Sequence, residues 1–185
     1  YGNLSYSTTY KTRVTTGVKD SAGNTLSSQY ETSSGFKTAS SATAISAGYG
    51  HTCAILDNAS VKCWGRNNQA QLGIDNTTNM GDGSGEMAAL PSIDLGTGRT
   101  ATAIATGYYH TCALLDDGSV KCWGFNAKGQ LGIDNTTNMG TSQGDMAQLT
   151  GINLGTGRTA TAIGAAVNNT CALLDLSLIH ISEPT

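Results

Sequence analysis

Cysteine and histidine are the residues of this chain whose types and spacing suggest chemistry. Cys53, Cys112 and Cys171 recur at one constant interval, Cys63 and Cys122 follow the first two of them, and His51 and His110 stand just before. Three chemistries fit such a set. A thiolate beside His51 or His110 would be an activated nucleophile. His51, Cys53 and Cys63 would offer zinc three N/S ligands with a water in the open position. Paired cysteines would instead oxidise to disulfides, and the choice depends on the elements that place each sulfur.

Those elements come in a repeat. Ser41 to Arg99 and Thr100 to Arg158 align without a gap and match at about 40 of 59 positions. A third copy starts TATAIGAAVNNTCALLD at Thr159. Within a copy, HTCALL and SVKCWG are β-rich runs separated by Asp116, Asp117 and Gly118, a hairpin signal with glycine at hand for a left-handed turn position. A three-residue loop with a glycine bulge makes the strands pair around Asp117. Cys112 then falls opposite Cys122, at a non-hydrogen-bonded site where Cα atoms come closest.

The same count pairs Cys53 with Cys63, so each hairpin is expected to carry one disulfide clip. Such clips persist only in an oxidising compartment, which predicts an extracellular or cell-surface setting. They also leave no thiolate for a nucleophile. Zinc is disfavoured because Asn169 replaces the histidine in the third copy, and the histidines are expected to hydrogen-bond at a blade edge. The first copy has Ala59 where Gly118 stands, a strain of roughly 1 kcal/mol if the turn keeps its left-handed form.

Composition narrows the class further. Gly (24), Thr (26), Ser (17) and Asn (13) fill more than two fifths of the 185 positions, while charged residues supply 12%, against about 25% ordinarily. A coiled coil is excluded. A net charge of -3 with ten scattered basic residues gives no footprint for a nucleic-acid backbone. No apolar run reaches the roughly 18–20 residues that span a bilayer, so membrane insertion is not expected. GTGRT, at Gly96 to Thr100 and again at Gly155 to Thr159, lacks the lysine and the helix of a phosphate loop and reads as a turn between repeats. The acidic stretch Asp75 to Glu86 does not keep its oxygen ligands in the second copy, where Thr141 replaces Asp82, so no calcium site is assigned. No cofactor is implied.

Several short strands per copy, no helix-period segment and a period above about 40–50 residues predict a β-propeller with an enlarged loop in each blade; the coils of a β-helix are shorter. Gly107, His110, Ala113 and Leu114, then Gly118, Ser119 and Val120, then Trp123, Gly124, Asn126, Gly129, Gln130, Leu131 and Gly132 resemble the regulator of chromosome condensation repeat. The run from Gly48 to Gly73 matches with Ala59 and Ala70 in place of two glycines. The resemblance covers about 135 residues and implies a seven-bladed propeller, of which a little over two blades lie here. Members of that family include exchange factors for a small GTPase and an exported inhibitor of a secreted enzyme. No partner-contacting motif matches, so exchange activity is not carried over.

The fold class expected is therefore all-β: a partial propeller at 41–175 (41–99, 100–158 and a shortened 159–175), preceded by the C-terminal strands of an Ig-like β-sandwich at 1–40. In that first segment a threonine-rich strand precedes a turn at Ser21 to Asn24 and the pattern resumes at Phe36, resembling a bacterial Ig-like surface domain; a threonine-rich spacer is the alternative. The chain opens on Tyr1 rather than Met, so more protein is expected upstream. After Asp175 the register calls for a cysteine at Ile181, yet the chain reads LSLIHISEPT, which resembles the translation of a transposon end and adapter from sequencing-library preparation; a divergent terminal strand is the alternative. Residues 176–185 are therefore expected to be foreign, leaving Cys171 unpaired by truncation.

Function should lie where the copies differ. Arg66, Asn68, Gln69 and Asp82 become Phe125, Ala127, Lys128 and Thr141, with Gln143 in the same variable loop. Scaffolds keep their core while specificity sits on loops. The leading expectation is a non-enzymatic extracellular binding module that presents Arg66, Asn68, Gln69, Asp82, Phe125, Lys128, Thr141 and Gln143 to a protein or glycan. The alternatives are a lyase or hydrolase with a site in the central channel of further blades, and a structural spacer in a surface adhesin.

Overall fold

The computed structural model describes residues 8–11, 13–14, 18–19, 21–25, 30–31, 36–37 and 40–175. The adapter-like stretch 176–185 lies outside the described residues. The chain forms two compact units, Tyr1–Ser41 and Ala42–Thr185.

In the first unit, β1 (Thr9–Tyr10) pairs antiparallel with β4 (Phe36–Lys37), and β2 (Arg13–Val14) with β3 (Tyr30–Glu31). A turn at Ser21 and Ala22 is closed by the Lys19–Thr25 bridge, with Gly23 at φ 86°.

The second unit is built from the repeat. Blade 1 is a three-stranded antiparallel meander of β5 (Ala42–Ala47), β6 (His51–Leu56) and β7 (Val61–Gly65). Blade 2 repeats it with β8 (Ala101–Thr106), β9 (His110–Leu115) and β10 (Val120–Gly124). Blade 3 contributes β11 (Ala160–Ala165) and β12 (Thr170–Leu174). The β-branched Thr, Ile and Val of these runs suit strands. Every residue of the central strand β9 is buried. One core cluster fills the space between blades 1 and 2, with Cys53, Val61, Leu72, Trp123 and Met146, and another fills blades 2 and 3, with Cys112, Val120, Leu131 and Ala160.

The hairpin turn takes the expected form. Leu115 N–H donates to Ser119 O at 2.9 Å, Gly118 has φ 77°, and the Asp117 carboxylate accepts from both Ser119 N and Ser119 Oγ. Ala59 keeps the left-handed conformation, at φ 60°. A β-carbon on Gly118 would lie 2.6 Å from Thr159 Cβ, and blade 1 shows what a real one does. The bond from blade 2 to this turn, Ala101 N to Ala59 O, stretches to 3.5 Å, against 2.8 Å for Ala160 N to Gly118 O. Ala59→Gly is therefore expected to stabilise the chain by about 1 kcal/mol, read as a higher urea midpoint at unchanged slope; an unchanged or lower midpoint would contradict the strain.

The enlarged loops contain something the sequence pattern did not predict. Each holds a one-turn helix, α1 (Glu86–Ala89) and α2 (Asp145–Gln148), entered through a left-handed glycine, Gly85 or Gly144. Four residues are too few to show a 3.6-residue period. Tertiary contacts supply what propensity cannot: Asp75 in blade 1 accepts from Gly144 N and Met146 N, both at 2.9 Å, and so caps the helix of blade 2. Glu86 accepts from the N–H groups of Gly81, Asp82 and Gly83. Asp75 and Glu86 thus serve backbone amides, while Asp82 accepts from Asn79 Nδ2 at 3.4 Å. No helix of the described residues is long and apolar enough to cross a membrane.

Candidate functional site

Strand register decides the cysteine chemistry. Cys53 lies opposite Cys63 and Cys112 opposite Cys122. Both pairs are disulfides with Cα atoms 4.1 Å apart. All four are fully buried, whereas Cys171 is free and exposed. A sulfur in a disulfide is neither a thiolate nucleophile nor a zinc ligand. Among the described residues no group of three or more His, Cys, Asp and Glu could hold a metal ion.

The histidines are held between blades. Thr111 Oγ1 donates its one proton to Gln71 O at 2.8 Å, so the 2.8 Å contact between His51 Nε2 and Thr111 Oγ1 must be donated by the imidazole. That sets the Nε2–H tautomer and leaves His51 Nδ1 buried without a partner. Burial first, then the nearby His110, lower the His51 pKa from 6.5 to about 4. The unit repeats one blade on: His110 Nε2 meets Thr170 Oγ1 at 3.0 Å, and Thr170 Oγ1 donates to Gln130 O. Burial likewise lowers the His110 pKa.

Glycine and histidine change together. A β-carbon on Gly48 would lie 2.5 Å from Gly107 O of the next blade and 2.7 Å from His51 Cε1, and one on Gly107 2.2 Å from His110 Cε1 and 2.5 Å from Ala166 O. In the third copy, where Asn169 replaces the histidine, Ala166 replaces the glycine. Neutral imidazoles in this arrangement join blades rather than offer a base to solvent.

The residues that differ between copies behave otherwise. Gln69 of blade 1, Tyr108, Tyr109 and Phe125 of blade 2, and Val167 and Asn168 of blade 3 line one open recess of about 360 Å³. Tyr108 and Tyr109 meet nearly at right angles (85°, centroids 4.4 Å apart), as do Tyr109 and Phe125 (80°, 6.3 Å). Tyr49, 62% exposed, stacks on Tyr108 at 3.9 Å and extends the aromatic surface. Arg66 lies 5.0 Å from the Tyr109 ring centroid, donates to Tyr109 Oη at 3.2 Å, and is steadied by Asn68 Oδ1 at 2.9 Å. The Tyr49 hydroxyl first, then burial and Tyr109, push the Tyr108 phenol up to about 12, so Tyr108 is uncharged at neutral pH.

Of the variable positions singled out by sequence, Gln69 and Phe125 line this recess, and Arg66, held by Asn68, reaches its Tyr109 from outside the lining. Asp82 lies in a neighbouring recess with Trp64, Arg66, Asn68 and Asn79, and Lys128 in a third beside Gln130 and Ile152. The Thr141 hydroxyl and N–H are both taken by Asp145, and Gln143 is exposed on the same loop. The eight positions therefore do not form one site. Tyr109, central to the recess, is absent from the sequence-derived set. Its signal was there: the position reads Gly50, Tyr109 and Asn168 in the three copies.

Comparison with known proteins agrees with this architecture. A family model described as Regulator of chromosome condensation (RCC1) repeat matches residues 42–71 and 101–130, and a second of the same description matches residues 60–114. The Ultraviolet-B receptor UVR8 of Arabidopsis thaliana is 32% identical over 94 residues, covering 50% of this chain and 20% of that protein. The E3 ubiquitin-protein ligase MYCBP2 of Danio rerio is 30% identical over 136 residues, 74% of this chain and 3% of that protein. The chain thus spans a fifth or less of the length of these curated relatives. The crystal structure of Prp20p from Saccharomyces cerevisiae superposes with a TM-score of 0.56 at 14% identity, covering 81% of this chain and 34% of that one. At that identity the likeness is one of fold.

Proposed function

Because residues 42–130 are regulator of chromosome condensation repeats, we propose that the chain is part of a non-enzymatic binding module whose propeller blades present a recess to a protein partner. One observation carries this reading: side chains that change from copy to copy converge from three successive blades on a single open recess, while about 40 of 59 positions around them repeat. Tyrosine and arginine are also among the residues that dominate binding energy at interfaces, and phenylalanine is enriched there. Protein partners suit the fold, since the solved Prp20p is described with its binding properties to Gsp1p and histones.

The module belongs to an exported, cell-surface protein of bacterial type, with an Ig-like neighbour at 1–40. Two buried disulfides support the oxidising setting.

Affinity capture from the native milieu, with bound proteins identified by mass spectrometry, tests the binding role. Wild-type chain is expected to retain a defined set of proteins that the Tyr109→Ala/Phe125→Ala variant, of equal melting temperature, loses at least tenfold. Identical capture by both would overturn the reading.

A further inference from the structure

The recess has a hydrogen-bonding polarity that specifies its ligand more closely than the presence of aromatic rings does. Asn126 N–H donates to Asn138 Oδ1 at 2.8 Å, which fixes that amide. Asn138 Nδ2 must then donate, and it does so to Gln69 Oε1 at 3.0 Å. The Gln69 oxygen is thereby used and its Nε2 amide is left without a partner among the described residues. The same logic runs on the other wall. Lys128 N–H fixes Gln130 Oε1 at 2.9 Å, and Gln130 Nε2 donates to Asn168 Oδ1 at 3.4 Å. Asn168 Nδ2 is again the group left over.

Gln69 and Asn168 both line the recess. The two amide groups left free there are thus N–H donors, set beside three aromatic rings that meet in turn nearly at right angles, Tyr108, Tyr109 and Phe125, and beside the Tyr109 hydroxyl, whose oxygen already accepts from Arg66. No carboxylate lines it, and Arg66 lies near one ring, so a cationic ligand would meet a cation and find no anion.

We propose that this recess binds a proline-rich segment of a polypeptide in the polyproline II conformation. Such a segment carries carbonyl acceptors that no internal hydrogen bond uses, its prolines have no N–H to be satisfied, and its rings dock between aromatic walls. A sugar would bring hydroxyl donors as well as acceptors, and the two free amides would match only its acceptors. The proposal rests on the binding-module reading and names the chemistry of the partner.

The test titrates the full chain with synthetic peptides carrying two prolines three residues apart, with the same peptides having alanine for proline, and with neutral oligosaccharides, followed by tyrosine fluorescence and calorimetry. Proline peptides are expected to bind saturably and the alanine versions to lose at least tenfold in affinity. Tyr109→Ala or Phe125→Ala should weaken binding about 30-fold. The sharper variants are Gln69→Glu and Asn168→Asp. Each keeps the oxygen that its neighbour needs but removes the free donor, so the fold is preserved, as equal melting temperatures would show, while affinity for proline peptides falls about 3- to 10-fold.

Unchanged affinity in both acidic variants would overturn the donor assignment. Oligosaccharide binding sensitive to Tyr109 and Phe125, with no peptide binding, would reassign the recess to glycans. Absence of proline-peptide binding alongside recess-dependent protein capture would overturn this inference and leave the binding module standing; loss of that dependence would remove the module itself.

Discussion

Replacing Trp123 with alanine is expected to destabilise the propeller segment by about 3–5 kcal/mol, while the same change at Trp64, its equivalent one repeat earlier, should cost about half as much or less. The two residues occupy equivalent positions in the third strands of blades 1 and 2, within the same local sequence, KCWG. They differ in what lies beneath the ring. Trp123 is fully buried, donates from Nε1 to Gln71 O at 3.1 Å, and covers Gly73, where a β-carbon would come within 2.6 Å of the indole nitrogen. Trp64 is only partly buried and meets no such carbonyl among the described residues. The difference between the variants therefore measures the contact between blades, with the contribution of the tryptophan to its own strand cancelled. Urea denaturation of both proteins reads it directly. Equal losses would mean that the tryptophan acts within its own blade and that blades 1 and 2 are held by other contacts. Against a usual total of about 5–15 kcal/mol, a loss of the expected size removes much of the folded population.

That contrast also marks where sequence reasoning succeeds. The Cys112–Cys122 pairing is legible because strand pairing has a period of two and the Asp116–Gly118 turn fixes its phase; both facts are local. Propeller architecture is legible because the repeat states itself. The Trp123 to Gln71 contact is not, since it joins a side chain to a backbone carbonyl in another repeat, and backbone groups leave no trace in sequence. Asp75 as a cap for α2 is hidden for the same reason. The recess falls between these cases. Arg66, Gln69 and Phe125 are legible because they change between copies within a run, from Trp to Leu-Gly, whose other positions largely repeat. Tyr109 sits in the turn before His110, where Gly50 in the first copy reads as turn chemistry rather than as a missing ring. Its equivalent Asn168 stands in the shortened third copy. Side by side, the turns GYGH, GYYH and AVNN show the variable position and the paired loss of glycine and histidine.

The buried histidines lead to the second large effect, a loss of stability on acidification that falls between the two pKa values of His51. Folding lowers that pKa from 6.5 to about 4, so between these limits the unfolded chain binds a proton that the folded chain refuses, and stability rises with pH across the window. Above about 6.5 the imidazole is neutral in both states and its contribution is fully present. As pH falls through 6.5 the contribution declines, and by about 4 some 3 kcal/mol has gone. The structural cause is specific. Thr111 commits its proton to Gln71 O, His51 must donate from Nε2, and the added proton on Nδ1 would face a buried space with no acceptor. Carboxylates titrate in the same range, so wild-type acid unfolding alone does not isolate the histidine. The third blade supplies the control, because it has Asn169 where blade 1 has His51. A His51→Asn variant carries that natural replacement and removes the titrating group, with Gly48 kept because a β-carbon there would lie 2.5 Å from Gly107 O of blade 2. Urea midpoints at pH 7, 5.5 and 4 are expected to fall less steeply in this variant than in wild type, with the residual slope belonging to His110 and the carboxylates. Parallel slopes in the two proteins would show that His51 is not the acid-sensitive joint between blades 1 and 2.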